Sequence, residues 1–270
     1  MKSLKLAIAG LGAIGSDVAR RIDAGAIAGI SLAAISARDR NKAARTVETF
    51  RAPPAVVGLA DLADIADVVV ESLPSSQFAA VAGPAVRKGR IFMPLSVGAL
   101  LDHMDLVEQA RTTGARIIVP TGALLGLDAV RAAAEGNIAS VTIITRKPPA
   151  GLAGAPLLVA RGVSVDGLKE PLKVFAGSAR EAIAGFPANV NVAVALSLAG
   201  IGPDRTRVEV WADPTVTRNT HTIALKSDSS DLTMTIENIP SEENPRTGKI
   251  TALSVLAALR RLTAPLVVGS

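Results

Sequence analysis

The chain has 270 residues, of which 49% are hydrophobic, so it can bury the core of one large domain or two modest ones and is not globally disordered. It has no cysteine, which excludes disulfides, thiolate nucleophiles and cysteine metal sites. Its formal charge of +5 comes from scattered lysines and arginines, and 2% aromatic residues are too few for base stacking, so we expect an anionic small molecule or cofactor as partner and no nucleic acid.

The amino-terminal stretch MKSLKLAIAGLGAIG combines a basic start with an apolar run, as a secretory signal does. Glycines interrupt this run at regular spacing and no convincing small-residue cleavage site follows it, so a first strand and its turn explain it better. No other apolar run approaches the ~20 residues that span a bilayer. The sequence therefore predicts no membrane partner, and we expect a cytoplasmic location.

Strand-like and helix-like segments alternate through the first 120 residues. Five apolar runs have the length and continuity of buried parallel strands: residues 5–10, 30–36, 66–72, 90–96 and 116–122. Helices are predicted between them, near residues 14–24, 39–49, 75–88 and 100–113. Repeated strand–helix units predict an α/β fold with a doubly wound parallel sheet over residues 1–121.

The pattern changes after Gly122. Strands are predicted at IASVTIITRK, RTRVEVWAD, RNTHTIALKS and DLTMTIENI, and helices around SAREAIAG and NVNVAVALSLAG. Four strands with helices between them predict a second domain of the α+β class over residues 122–246. The apolar helix TGKITALSVLAALRRL follows, and we expect it, over residues 247–264, to return toward the first domain and complete it.

The motif GLGAIG lies directly after the first strand and opens a helix. In that context Gly10 permits a tight turn, Gly12 lets the backbone approach a pyrophosphate and Gly15 lets the helix pack closely on the strand. Ala13 and Ile14 lie at the helix N-terminus, whose amides and dipole favour phosphate. The motif therefore predicts a Rossmann dinucleotide site. The alternative is that these glycines only turn the chain.

The end of the second strand reads Ser36-Ala37-Arg38-Asp39-Arg40, with no acid at the position where an NAD-selective site places one. The Ser36 hydroxyl and the Arg38 guanidinium suit a 2′-phosphate, which Arg38 can bind with two hydrogen bonds. We therefore expect NAD or NADP as cofactor, with NADP accepted. Two alternatives stay open: Arg38 and Arg40 are only solvated residues at a helix start, or Asp39 turns to the ribose.

His221, one of two histidines in the chain, lies in the strand NTHTIAL. Strand alternation places Asn219, His221, Ile223 and Leu225 on one face, which the aliphatic residues mark as buried. His221 is thus near the end of a core-facing row, where an imidazole can handle protons for nicotinamide chemistry. The alternative is a core histidine bonded to a backbone carbonyl. His103, within the helix LLDHMDLVEQA, is interpreted as a structural histidine.

Five segments together resemble the L-aspartate dehydrogenase family: GLGAIG, PTGALLGLDAV, FPANVNVAVALSLAG, RNTHTIAL and ENPRTGKITALSVLAALRRL. They occur in matching order along essentially the whole chain. The resemblance implies a Rossmann domain, an α+β domain and a homodimer. It also implies NAD(P)-dependent oxidation of L-aspartate to iminoaspartate, which hydrolyses to oxaloacetate and ammonia or enters NAD biosynthesis through quinolinate.

By this resemblance the family's catalytic histidine falls on His221. Cofactor contacts near the nicotinamide fall on Ala123, which follows Gly122 in the T-G-A turn, and on Asn189 at the start of N-V-N-V-A. Whether His221 deprotonates the amine or activates the water that hydrolyses the imine stays open.

The two carboxylates of the substrate require donors in the second domain. We expect these donors to be Lys147, Asn191 and Asn219. Arg146 and Thr220 are further candidates, but Thr220 points away from His221 by alternation. The alternative for Arg146 and Lys147 is that both simply end a strand at the surface.

The outer face of the second-domain sheet is rich in threonine and carries the single tryptophan. Such a face is less polar than a solvent-exposed sheet face needs to be, and this favours pairing with a second copy of the chain. An ordinary solvated face is the alternative. Its residues are Arg207, Glu209, Trp211, Thr220, Thr222, Thr233 and Thr235.

Other functions remain as alternatives. A reductase of the dihydrodipicolinate type has similar length and architecture but carries paired histidines, and no His-His pair occurs in this sequence. Another dehydrogenase of a small anionic substrate, or a non-catalytic NAD(P)H-sensing protein, would keep the fold, and the latter would not need His221. Two distant histidines and no cysteine predict no metal site.

Overall fold

The computed structural model describes residues 3–187, 190–244 and 247–269. The chain divides into two compact units. The first comprises Met1–Pro120 and Thr251–Val267, and the second comprises Thr121–Ile250 and Val268–Ser270. Among the described residues, no helix combines the length and the apolarity needed to cross a membrane.

The first unit contains a parallel sheet, which in the described part of the chain has six strands in the order β3-β2-β1-β4-β5-β6. The strands are β1 (Leu4–Ala9), β2 (Ile30–Ser36), β3 (Ala55–Val56), β4 (Val68–Glu71), β5 (Ile91–Pro94) and β6 (Arg116–Ile117). The helices are α1 (Ala13–Asp23), α2 (Arg40–Val47), α3 (Leu62–Ile65), α4 (Phe78–Arg87), α5 (Val97–Leu100) and α6 (Asp105–Thr113). Strand order reverses between β1 and β4, where doubly wound sheets bind their ligands.

The second unit contains a mixed sheet, described here as five strands in the order β11-β10-β7-β9-β8. β7 and β9 pair in parallel, and the other neighbours are antiparallel. The strands are β7 (Ile138–Lys147), β8 (Leu172–Ser178), β9 (Arg207–Ala212), β10 (Thr220–Ser227) and β11 (Asp231–Glu237). The helices are α7 (Leu127–Ala134), α8 (Pro156–Ala160), α9 (Ala179–Gly185) and α10 (Asn191–Ala199), and short 3-10 helices in the chain cover Ser75–Gln77, Leu101–His103 and Pro149–Gly151.

The C-terminal helix α11 (Ile250–Arg261) contributes to the core of the first unit. Its Val255 and Leu259 have no exposed surface and belong to the same apolar cluster as Leu6 and Ile8 of β1. The α/β fold class, with a Rossmann sheet, a second α+β unit and a returning C-terminal helix, is therefore confirmed.

The edge strand β8 is absent from the sequence-based prediction, which had four strands in this sheet. Its buried residues Val174 and Phe175 are adjacent rather than alternating, because the pairing with β9 shifts register between Lys173 and Phe175. Such a bulge removes the period-two pattern from which a strand is predicted. The four-strand prediction was therefore wrong by one strand.

Clean alternation builds the core face of the second sheet. Val141 and Ile143 of β7 and Ile223 and Leu225 of β10 are at most 1% exposed, whereas the residues between them face the other side. Each such aliphatic side chain stabilises the fold by about 1.5–3 kcal/mol through burial. The same alternation fixes which side of the sheet receives the polar residues farther along these strands.

The glycine-rich turn after β1 depends on close backbone contacts. Gly10 has a φ of +97°, and a Cβ atom there would lie 2.7 Å from the carbonyl oxygen of Ser72. A Cβ atom at Gly15 would overlap the carbonyl oxygen of Gly10, so only glycine lets α1 approach the turn this closely. At Gly12, by contrast, nothing lies within 4 Å of such an atom.

We expect Gly15→Ala to lower the free energy of unfolding by about 2–3 kcal/mol, because α1 must move away from the Gly10 carbonyl. Gly12→Ala is the matched control and should change it by less than about 1 kcal/mol, since its methyl group enters open space. Urea unfolding followed by circular dichroism measures both variants. Equal losses for the two would contradict the packing argument.

Candidate active site

The predicted nucleotide residues lie at the turn between β1 and α1. Gly12 is the N-cap of α1, and in this described stretch no side chain caps the helix and no acidic residue occupies its first turn. The N–H groups at Ala13, Ile14 and Gly15 therefore begin a helix whose positive end is not neutralised by its own side chains. This is the arrangement that binds a phosphate at a helix N-terminus.

The end of β2 adjoins this turn. The carbonyl oxygen of Ser36 accepts a hydrogen bond from Gly10 N at 2.7 Å, and Ser36 is only 3% exposed. Arg38 is exposed, whereas Asp39 caps α2 by accepting a hydrogen bond from Lys42 N at 2.9 Å. The guanidinium of Arg38 is thus accessible to a ligand, and the carboxylate of Asp39 already has a structural partner.

Glu71, at the end of β4, is a buried carboxylate that the sequence pattern did not single out. Its Oε1 accepts hydrogen bonds from Leu73 N at 2.7 Å and from Ser96 Oγ at 3.0 Å, and its Oε2 accepts one from Ser96 N at 3.1 Å. Burial raises the pKa of Glu71, and these hydrogen bonds oppose that rise. The carboxylate ties together the loops after β4 and β5. The sequence signal for Glu71 was an acidic residue at the end of an otherwise apolar strand.

His221 lies on β10 directly opposite Thr145 of β7, and both side chains are on the core face. They are 3% and 1% exposed. His221 Nδ1 and Thr145 Oγ1 are 3.0 Å apart, and either atom can be the donor, depending on the imidazole tautomer. The partner of the histidine is therefore a side-chain hydroxyl and not the backbone carbonyl that the structural alternative assumed. Nothing in the sequence pattern had singled out Thr145.

Lys147 lies two residues beyond Thr145 on the same face of β7 and is only 5% exposed. The alternative that Lys147 ends its strand at the surface was wrong, because the alternation of β7 continues to its last residue. Burial lowers the pKa of Lys147 to about 8. Burial, and then the positive charge of Lys147, lower the pKa of His221 to about 3. At neutral pH the site therefore combines a neutral imidazole with an ammonium that can lose its proton.

Arg146 lies between Thr145 and Lys147 but faces the outer side of the sheet. Its Nη1 donates a hydrogen bond to Asp213 Oδ2 at 2.8 Å, and its guanidinium lies 4.7 Å from the ring centroid of Trp211. The structure therefore does not bring Arg146 to His221. Thr220 also faces the outer side, as alternation predicts.

Asn238, directly after β11, links two of the predicted site segments. It is 3% exposed, and its Nδ2 donates a hydrogen bond to the carbonyl oxygen of Ala123 at 3.0 Å. Its backbone N donates to the carbonyl oxygen of Asn219 at 2.8 Å. Asn238 thus holds the turn that contains Gly122 and Ala123 against the residue that precedes β10. An amide residue at the end of an alternating strand was the only sequence signal for it.

Asn191 and Asn189 are the remaining predicted residues. Asn191 is the first residue of that helix and is partly buried. Asn189 lies outside the described residues. In the described part of the chain, no group of three or more His, Cys, Asp or Glu residues is arranged to hold a metal ion.

Two family models match the chain. The model described as aspartate dehydrogenase, C-terminal, matches residues 128–262. The model described as homoserine dehydrogenase, NAD binding domain, matches residues 10–120.

Relatives and solved structures agree with these matches. The chain is 56% identical to an L-aspartate dehydrogenase of Bradyrhizobium diazoefficiens over 99% of this chain and 94% of that protein. It is 53% identical to L-aspartate dehydrogenase 3 of Bordetella bronchiseptica over 100% of this chain and 98% of that protein. The crystal structure of aspartate dehydrogenase from Thermotoga maritima, at 23% identity, superposes with a TM-score of 0.74 and covers 98% of this chain and 99% of that one, which shows a shared fold.

The resemblance first drawn from sequence motifs is therefore confirmed. An NAD-binding domain is followed by an aspartate dehydrogenase C-terminal region, and curated relatives match over nearly their full length. The chain belongs to the L-aspartate dehydrogenase family of oxidoreductases.

Proposed function

We propose that the protein oxidises L-aspartate to iminoaspartate, with NAD or NADP as hydride acceptor and His221 as the acid/base residue. The observation that carries this proposal is the pair of buried basic side chains, His221 and Lys147, on one face of β10 and β7 in a chain of this family. In the reaction the α-carbon loses a hydride, the amine loses a proton and a C=N bond forms. Iminoaspartate then hydrolyses to oxaloacetate and ammonia or is taken up by NAD biosynthesis through quinolinate.

The turn after β1 fits the phosphates of a dinucleotide. The space beside Gly12 is open, and the first turn of α1 presents its N–H groups without a capping side chain in this described stretch. We assign the phosphates to the backbone of Gly10, Gly12, Ala13, Ile14 and Gly15. When bound, the nicotinamide supplies the acceptor for the hydride.

The remaining cofactor contacts are assigned to two groups of residues. Ser36 and Arg38 receive the ribose and its 2′-phosphate, since Arg38 is exposed and Asp39 is engaged in capping α2. By family membership, Gly122, Ala123 and Asn189 hold the nicotinamide end. NADP acceptance follows from the assignment of Arg38.

Lys147 is assigned to a carboxylate of the substrate. A buried ammonium has lost most of its hydration, and an anion that replaces this hydration is bound more strongly than at the surface. Asn191 and Asn219 supply further donors. Asn219 is suited to this role because its backbone is fixed by the hydrogen bond from Asn238.

His221 handles the proton that leaves the amine. Burial and Lys147 keep the imidazole neutral, so it can accept a proton. A substrate carboxylate beside Lys147 offsets the charge that depresses the pKa of His221, and the imidazole becomes a stronger base when substrate is bound. After it has released this proton, the neutral imidazole can activate the water that hydrolyses the imine.

Family membership also leads us to propose a cytoplasmic homodimer. We assign the pairing to the outer face of the second sheet, where the Trp211 ring lies 4.7 Å from the guanidinium of Arg146 and 5.1 Å from the ammonium of Lys173. Tryptophan and arginine are enriched in protein interfaces, and this enrichment is the support for the assignment.

His221→Gln should lower kcat for aspartate oxidation by about 100- to 10,000-fold, because the amide cannot accept the proton. The growth of reduced-nicotinamide absorbance measures turnover, and titration with NADPH followed by its fluorescence should show unchanged cofactor binding. His103→Gln is the matched control. His103 stacks on Phe78 at 5.4 Å in the first unit, and its replacement should leave kcat unchanged. Similar turnover in the two variants would contradict the role of His221.

Lys147→Met should lower kcat/KM for aspartate, and the loss should depend on pH. The pKa of Lys147 is about 8, so the wild-type ammonium is present below that pH and disappears as the pH rises through it. The ratio of wild-type to variant kcat/KM should therefore be about 10–100 near neutral pH and fall above pH 8. The titration of the substrate amine affects both enzymes equally and therefore cancels in this ratio. A ratio that stays constant across this range would refute the carboxylate contact.

Arg38→Ala should lower kcat/KM for NADP by about 10-fold or more and leave that for NAD nearly unchanged, because only NADP carries the 2′-phosphate. Arg40→Ala, two residues away at the start of α2, is the control and should affect neither cofactor selectively. The two cofactors are compared in parallel at saturating aspartate. Equal losses with NAD and NADP would assign Arg38 a structural role.

A further inference from the structure

The contact between His221 and Thr145 is a cross-strand pair within the core. The two residues are register partners of β10 and β7, and Nδ1 and Oγ1 are 3.0 Å apart. The distance does not fix which of the two atoms donates, because the roles depend on the imidazole tautomer. The contact joins the imidazole to a neutral side chain and helps to orient the ring.

A neutral imidazole carries one N–H, and the hydrogen bond made by one ring nitrogen determines the state of the other. Nδ1 is occupied by Thr145, so Nε2 is the nitrogen left for chemistry. Nε2 has a lone pair only if the proton is on Nδ1, and Thr145 Oγ1 must then accept the hydrogen bond. If Thr145 donated instead, Nε2 would carry the proton and could not act as a base.

We propose that Thr145 is a positioning residue that accepts a hydrogen bond from Nδ1–H of His221 and thereby keeps Nε2 unprotonated and oriented toward the substrate amine. The catalytic consequence rests on the proposed function, whereas the tautomer is a property of the protein itself. Neither the family resemblance nor the motifs assign a role to Thr145.

The chemistry of a hydroxyl suits this role better than that of a carboxylate. A carboxylate at position 145 would stabilise the imidazolium and hold the proton after transfer. A hydroxyl orients the ring without adding charge, and the nearby ammonium of Lys147 favours release of the proton. Burial and Lys147 hold the pKa of His221 to about 3, which agrees with a base that stays neutral between turnovers.

The tautomer can be read directly by two-bond ¹H–¹⁵N correlation spectra of the histidine rings in the ligand-free protein at neutral pH. The chain has only two histidines, so the spectrum of His103→Gln assigns His221. We expect the Nδ1–H pattern for His221 in the wild type and in Thr145→Ser. In Thr145→Val the Nδ1–H tautomer should no longer be the only form present. An Nε2–H pattern in the wild type would overturn the proposal.

Steady-state kinetics test the catalytic consequence of the Thr145 hydrogen bond. Thr145→Val is isosteric and should lower kcat for aspartate oxidation by about 10- to 100-fold with little change in KM for the cofactor. Thr145→Ser keeps the hydroxyl and should restore kcat to within about 3-fold of wild type. Thr206→Val is the control for loss of a buried hydroxyl, because Thr206 is 0% exposed and donates to the carbonyl oxygen of Gly202 at 2.9 Å, away from the histidine. It should leave kcat unchanged.

The two measurements separate this inference from the proposed function. If the wild type does not oxidise aspartate, the proposed function fails, and the ring spectra still decide the tautomer. If the wild type turns over and His221→Gln does not, but Thr145→Val retains full kcat, only the role of Thr145 is overturned. A loss of kcat in Thr145→Val that Thr145→Ser does not restore would also overturn it, since it would reflect packing.

Discussion

The burial of an imidazole and an ammonium on one face of β10 and β7 is the constraint on which the chemistry of the second unit depends. Water would solvate both groups and leave them with ordinary pKa values. On the apolar face the cost of charge lowers the pKa of Lys147 to about 8 and that of His221 to about 3. The protein thus keeps the imidazole neutral beside a buried cation, because alternation and the register of β7 against β10 place both side chains on one face. These are the groups that we propose for the amine proton and for a carboxylate of the substrate.

In the first unit the corresponding constraint is the close approach of backbone segments. The turn after β1 lies so near Ser72 and the start of α1 that Gly10 and Gly15 cannot carry side chains. Glu71, one residue before Ser72, accepts hydrogen bonds from the loops after β4 and β5, so the same edge of the sheet is fixed by a buried carboxylate. Loops held in this way around an uncapped helix N-terminus suit the phosphate site that we propose, and nothing lies within 4 Å of a Cβ atom built at Gly12.

Local patterns in the sequence predict part of this arrangement. Alternation in NTHTIAL places His221 on the buried face, and the spacing of glycines after an apolar strand predicts the turn after β1. Thr145 could not be assigned in the same way, because its meeting with His221 depends on the register between β7 and β10, which are distant in sequence and whose pairing no local period encodes. The strand β8 was not predicted, because its bulge interrupts the alternation of buried and exposed residues. The sequence left the burial of Lys147 undecided, because a lysine at the end of a strand is equally compatible with a surface position.

The neighbouring cations of β7 have a consequence for how the second sheet assembles. Arg146 and Lys147 face opposite sides of one strand, and Arg146 is satisfied on the outer face by Asp213. A slip of β7 by one residue would exchange the two and bury a guanidinium that cannot lose its proton, whereas the native register buries an amine that can. The order of these two residues therefore favours the native register of β7 over a one-residue slip. The side chain that we propose for the substrate thus also disfavours the wrong pairing.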